Sequence, residues 1–223
     1  MKKLVNGIME FREKHLAEYR KIFAKLALGQ APDVLFIACS DSRVAANAFA
    51  STDPGDLFVV RNVGNMVPPA LPNGASSSDE SEAAAIEFAL FNLNVTHIII
   101  CGHSECGAMH AIANDRSKVT LPNLRSWLRH GEESLNKVGT FDPHLAKHNE
   151  LSQLNVLLQI EHLMTYPFIR DRVNQGQLQL HGWWFELKGA DVYAYDKDLK
   201  KFIVFDRDLA KKILEHTKHQ ILG

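Results

Sequence analysis

Three short runs of apolar residues constrain this chain more than any other feature: Val34-Leu-Phe-Ile-Ala38, Leu57-Phe-Val-Val60 and His97-Ile-Ile-Ile-Cys101. None alternates with polar residues. A continuously apolar strand is expected to be buried on both faces, which happens when strands run parallel and helices cover both sides of the sheet. Between the second and third runs lies Ser81-Glu-Ala-Ala-Ala-Ile-Glu-Phe-Ala-Leu90, a strong helix former. The order strand, crossover, strand, helix, strand predicts an α/β fold. The expected sheet is mainly parallel, about four parallel strands plus an antiparallel edge strand, with helices on its flanks.

The remaining segments fit around that sheet. Leu4, Ile8, Phe11, Tyr19, Ile22, Phe23 and Leu26 have helical spacing and Gly29 stops the run. Residues 1–30 therefore read as a helical arm that must lie against the body of the domain or a neighbouring subunit. Helical periodicity returns from Leu121 to Leu135 and from Leu145 to Met164, and a further helix follows Pro167 to about Asn174. Residues 178–185 and 191–195 read as a hairpin around Lys188-Gly189, followed by a short strand at 202–205 and a helix over 208–220. Pro68 to Asp79, rich in proline and serine, reads as a surface loop. No repeat or linker divides the chain, so residues 1–223 are expected to form one domain.

Bulk properties narrow the function classes. A formal net charge of -1 offers no basic excess to hold a phosphate backbone, which argues against a nucleic-acid partner. No stretch approaches the roughly 20 apolar residues needed to span a bilayer. Met1-Lys2-Lys3 is followed by Glu10, Arg12, Glu13 and Lys14 before any long apolar stretch, unlike a signal peptide, so the cytoplasm is the expected compartment. Three cysteines are too few and too odd for a disulfide framework. Cys101, inside an apolar run, reads as packing; Cys39 and Cys106, in polar turn-like surroundings, read as ligands.

Cys39-Ser-Asp-Ser-Arg43 directly follows the first apolar run and Gly102-His-Ser-Glu-Cys106-Gly107 directly follows the third. Both therefore stand at carboxyl ends of parallel strands, where open α/β sheets place their sites. Two thiolates and an imidazole suit zinc, and three protein ligands with an open fourth position mark a catalytic site rather than a structural one. A lone His-x-x-Cys is more often packing than metal. Two such segments, each behind a buried strand, make the metal reading much the stronger. Asp41 and Arg43, two apart on an extended segment, can pair on one side of it.

Taken in order and spacing, four segments resemble the β-class carbonic anhydrases: Cys39-Ser-Asp-Ser-Arg-Val44, Asp53-Pro-Gly-Asp-Leu-Phe-Val-Val-Arg-Asn-Val-Gly-Asn65, Ala84-Ala-Ile-Glu-Phe88 and Cys101-Gly-His-Ser-Glu-Cys-Gly107. Met66-Val-Pro-Pro69 is similar to the plant and cyanobacterial branch. The resemblance is strong over about residues 25 to 110 and weaker at His181-Gly-Trp183. It implies reversible hydration of carbon dioxide to bicarbonate, one Zn2+ per subunit held by Cys39, His103 and Cys106, and a zinc-bound hydroxide oriented by the Asp41–Arg43 dyad. It also implies a homodimer or dimer of dimers with the site at the subunit interface. Gln30 would hydrogen-bond substrate, Phe58 and Val63 would form the apolar pocket, Phe88 would reach in from the partner, and Gly107 would offer its backbone N–H. No histidine outside the ligand set is singled out as a proton shuttle.

The chain departs from some bacterial members at one place. They carry a second bicarbonate pocket of Trp, Arg and Tyr that stabilises a closed form in which the aspartate ligates zinc. The corresponding residues here are Phe36, Arg61 and Phe185, and neither phenylalanine can donate a hydrogen bond. The expectation is an open form, with Asp41 on Arg43. Three rivals share some of these residues: a carbon disulfide or carbonyl sulfide hydrolase on the same scaffold, a non-catalytic zinc-stabilised binding domain, and an enzyme using Cys39 as a nucleophile activated by Arg43.

Overall fold

A computed structural model describes residues 1–78 and 80–221, the last seven by backbone alone. Six strands form one sheet in the order β2-β1-β3-β4-β5-β6. They are β1 Val34–Cys39, β2 Leu57–Asn62, β3 His97–His103, β4 Gln179–Glu186, β5 Asp191–Asp196 and β6 Lys201–Val204. The first four in the sheet are parallel, and β4–β5 and β5–β6 pair antiparallel. The antiparallel end thus holds two strands, the short apolar segment near residue 202 supplying the outer one.

β1 and β3 carry the pattern expected of central parallel strands. Leu35, Ile37, Ile98 and Ile100 join a core with Ile86, Leu90 and Tyr166 on one face of the sheet. Phe36, Ala38, Ile99 and Cys101 join Phe185 and Val44 on the other. Cys101 is fully buried, and desolvation pushes its thiol pKa up, so it is packing. β2 differs from the expectation of burial on both faces. It ends the sheet, pairs with β1 alone, and leaves Val59 41% exposed.

The helices are α1 Lys2–Glu10, α2 Leu16–Leu26, α3 Ala46–Phe49, α4 Ser81–Glu87, α5 Gly107–Ala113, α6 Pro122–Trp127, α7 Arg129–Glu132, α8 Lys147–Leu163, α9 Pro167–Asn174 and α10 Arg207–Ile221. The helix expected over 121–135 is broken into α6, α7 and a 3-10 segment at Glu133–Lys137, and within α7 Gly131 lets the chain pass close to Met66, Ile112 and Asn155. In the loop expected over 68–79, Ala70 bridges Ser76 and Leu71 N–H donates to Ala75 O at 2.8 Å; Asp79 lies outside the described residues. A wider turn, Phe11–His15, joins α1 to α2, and none of these three segments buries a residue. The arm therefore presents Leu4, Val5, Ile8, Met9 and Phe23 at the surface.

α8 positions the site. It packs across β3 and β4 and against α5, and it is buried almost all round. Its buried residues include Glu150, Ser152, Gln153, Asn155 and Gln159. Helical periodicity marked this segment as a helix but not its polar residues as interior ones. Glu150, Ser152, Asn155 and Gln159 are tolerated there because each finds hydrogen-bond partners. Ser152 Oγ donates to His103 O at 2.8 Å, and Trp184 Nε1 donates to that same Oγ at 3.1 Å. Gly102 makes the close approach possible, since a Cβ there would stand 2.7 Å from Val156 Cγ2.

Candidate metal centre

β1 and β3 are direct neighbours in register, so the segments leaving their carboxyl ends converge. Cys39 closes β1, His103 closes β3, and Cys106 caps α5 after the Ser104–Glu105 turn. Glu105 has φ +54°, a left-handed conformation that costs a non-glycine residue about 1 kcal/mol or more. Asn149 holds it there. The Glu105 N–H donates to Asn149 Oδ1 at 2.8 Å, and Asn149 Nδ2 donates to Glu105 Oε1 at 3.0 Å.

The three donor atoms lie within 4.8 Å of one another, all on buried residues. His103 Nδ1 is 2.8 Å from Ser104 O. A carbonyl only accepts, so Nδ1 carries the proton and Nε2 presents a lone pair. That Nε2 is buried and finds no hydrogen-bond partner, which in a folded interior marks the place of an absent one. Cys39 Sγ accepts from Gly64 N–H at 3.4 Å. Its pKa is drawn down, chiefly by its hydrogen bond with Cys106. Cys106 is pushed up because it holds the proton shared with Cys39, and then by burial. A dication bound to both sulfurs would release that proton. Two thiolates with one imidazole are the donor set of borderline-soft zinc, so the residues fit the metal.

Asp41 and Arg43 meet, but by a different local structure from the extended segment expected. The chain turns after Ser40, so Asp41 Oδ1 accepts from the Arg43 backbone N–H and from Arg43 Nε, both at 2.9 Å, while Nη2 donates to Oδ2 at 2.7 Å. These hydrogen bonds hold the Asp41 carboxyl well below the usual carboxylate range. Asp41 Oδ2 stands 4.0 Å from His103 Nε2. Arg61, on β2, fixes the same turn from beneath. Its Nε and Nη2 donate to Cys39 O at 3.0 and 2.9 Å, and Nη2 also donates to Asp41 O at 2.6 Å. Phe36 and Phe185 lie in one apolar cluster, bridged by Phe49, whose ring stacks on Phe185 at 4.7 Å.

Of the other residues expected here, Phe58 and Phe88 stack with ring centroids 5.8 Å apart. Val63 and Phe88 are 41% and 43% exposed. Gly107 is exposed with open space beside its Cα, and Gln30 is exposed in the segment between α2 and β1. The donor set, Asp41 and Arg43 are brought together; Gln30 makes no described contact with them.

Several supporting residues had no signal in the sequence. Asn155 Nδ2 donates to Gly64 O at 3.0 Å, behind the N–H that meets Cys39. Gly64 has φ +84°, and a Cβ there would meet Met66 Cε at 2.9 Å. Trp127 Nε1 donates to Val63 O at 2.7 Å. Asn155 becomes a support because it is buried against Gly64, and that burial is not readable from a helix pattern.

Residues 34–192 match the family described as carbonic anhydrase. A carbonic anhydrase of Synechocystis sp. is 40% identical over 207 residues, covering 91% of this chain and 74% of that protein. One of Pseudomonas aeruginosa is 36% identical over 225 residues, covering 100% and 96%. The solved β-carbonic anhydrase CcaA superposes with a TM-score of 0.84 at 39% identity, covering 92% of this chain and 98% of that one. Fold, buried donor set and relatives agree. The chain belongs to the β-class carbonic anhydrases, zinc-dependent lyases that interconvert carbon dioxide and bicarbonate.

Proposed function

We propose that Asp41, held by Arg43, orients the attacking oxygen in carbon dioxide hydration, and that the resting site is open. One observation carries this reading: Arg43 clamps the Asp41 carboxylate through three hydrogen bonds, leaving Oδ2 4.0 Å from His103 Nε2. Cys39, His103 and Cys106 would hold the zinc, which would supply Lewis acidity enough to make hydroxide available near neutral pH. Asp41 stays ionised through the neutral range and accepts a hydrogen bond from the attacking oxygen, so that its lone pair faces the carbon. Arg43 acts through Asp41 as a positioning residue, and Arg61 holds the backbone that carries both. Cys39 and Cys106 together bring two negative charges, which cancel a dication and leave little net charge to retain bicarbonate. Arg61 satisfies its guanidinium on two carbonyls, and Phe36 and Phe185 offer no donor; both features favour Asp41 remaining on Arg43.

Carbon dioxide is small and apolar, so its pocket should be apolar with one or two donors. We assign that pocket to Phe58, Val63 and Phe88, with Gln30 and the Gly107 N–H as donors. Val59, Val63, Phe88 and Phe91 are exposed apolar residues, as is the bare face of the arm. Such a surface fits a homo-oligomer, and a pair of Sordaria macrospora β-carbonic anhydrases, one 31% identical to this chain over 86% of it at a TM-score of 0.74, is described as tetrameric. In that assembly Phe88 would complete the partner's pocket. The cytoplasm suits free, ligating thiols.

Asp41→Asn tests the orienting role. It keeps the shape and removes the charge. Zinc content should stay at one per chain, while stopped-flow hydration falls about 10- to 100-fold, the usual cost of losing a group that orients a metal site. Unchanged turnover in the zinc-loaded variant would remove Asp41 from the mechanism.

A further inference from the structure

We propose a second metal site on the surface of this enzyme, formed by Glu105, His110 and His148, that takes a borderline transition-metal dication such as Ni2+ or Zn2+. The three side chains come from separate elements. Glu105 lies in the turn after β3, His110 on α5 and His148 in the first turn of α8. His148 Nε2 is 3.0 Å from Glu105 Oε1, and His110 Nε2 is 3.3 Å from Oε2. One ligand atom from each lies within 4.8 Å of the others, and none belongs to the Cys39, His103, Cys106 set.

Two features make this more than a chance ion pair. Both imidazoles turn the same nitrogen, Nε2, toward one carboxylate, and their rings stack with centroids 3.7 Å apart and planes 22° apart. A dication satisfies the whole group, since both rings then ligate through Nε2 with their protons on Nδ1. The carboxylate is also placed in advance, because Asn149 Nδ2 donates to Oε1 while Asn149 Oδ1 accepts from the Glu105 N–H. Pre-placed ligands reduce the ordering cost of binding.

The donor set selects the ion. Two imidazole nitrogens and one carboxylate oxygen suit zinc, nickel, cobalt or copper, and not calcium or magnesium, which prefer all-oxygen shells. The side chains are 51%, 41% and 20% exposed for Glu105, His110 and His148, so water can fill the remaining positions. An ion here would tie α8 to the turn between His103 and Cys106, whose Glu105 carbonyl also accepts from Arg43 Nη2 at 3.0 Å.

The test is a calorimetric titration of the zinc-loaded enzyme with Ni2+, with resident zinc counted before and after. The expected result is one Ni2+ bound per chain without loss of zinc. His110→Ala and His148→Ala should each weaken it roughly tenfold or more, because even groups that only orient a ligand cost that much. Both variants should keep the wild-type circular dichroism and zinc content, and His97→Ala, which alters a separate pair in which His97 Nδ1 is 3.1 Å from His181 Nε2, should bind Ni2+ as the wild type does. Absence of Ni2+ uptake, uptake only by displacement of zinc, or wild-type affinity in both variants would overturn the site.

Discussion

Replacing His103 with alanine is expected to leave a folded protein that cannot retain zinc and has lost nearly all hydration activity. The imidazole is the one nitrogen donor between two sulfurs, and its Nε2 has nothing else to bind. Its removal leaves two thiol ligands, too few for a tetrahedral zinc site. Loss of the Lewis acid removes several kcal/mol of transition-state stabilisation, so turnover should fall about a thousandfold or more. Zinc should drop from one to well under a tenth per chain by metal analysis after dialysis. The fold survives in this view because His103 lies at the end of β3, where the ladder with β4 is made by backbone. A His103→Ala protein with full zinc content would mean that another residue ligates the metal.

Gln159→Ala should produce the largest loss of stability outside the metal ligands. Gln159 is fully buried on α8 and makes hydrogen bonds at both ends of its amide. Nε2 donates to His130 O at 3.0 Å and Asn155 Oδ1 at 2.8 Å, and Oε1 accepts from Val67 N–H at 2.7 Å. Truncation leaves these partners buried and unsatisfied at about 1–3 kcal/mol each, so a total near 4 kcal/mol is expected. For a chain of this size the melting temperature falls about 2–4 °C per kcal/mol, giving a drop of roughly 10 °C by calorimetry. The loss should also reach the metal. Asn155, released from Gln159, is the residue that holds Gly64 O, and Gly64 N–H meets Cys39 Sγ. A shift below about 2 °C would show that water replaces the amide at no cost.

The parts legible in the sequence were those set by short-range pattern. The apolar runs at 34–38 and 97–101 are central parallel strands because every second residue serves one face and the rest serve the other. Cys39, His103 and Cys106 were legible because the segments that hold them follow those strands directly. What failed was of two kinds. Edge position is a property of the whole sheet, so nothing in Leu57-Phe-Val-Val60 reveals that β2 lies outermost. Burial of polar residues is likewise nonlocal. Ser152, Asn155 and Gln159 look like the wet side of a helix until their partners on β3, Gly64 and Val67 are in place. The Asp41–Arg43 pair lies between these cases. Its chemistry was readable, but the turn that forms it depends on Arg61, some twenty residues away.

The most direct test of the zinc account measures metal content and stopped-flow carbon dioxide hydration on the same sample, before chelation, after it, and after zinc is returned. Activity should follow zinc in proportion, vanish with its removal, and recover when one equivalent per chain is restored. Full activity in protein shown to be free of metal would contradict the account.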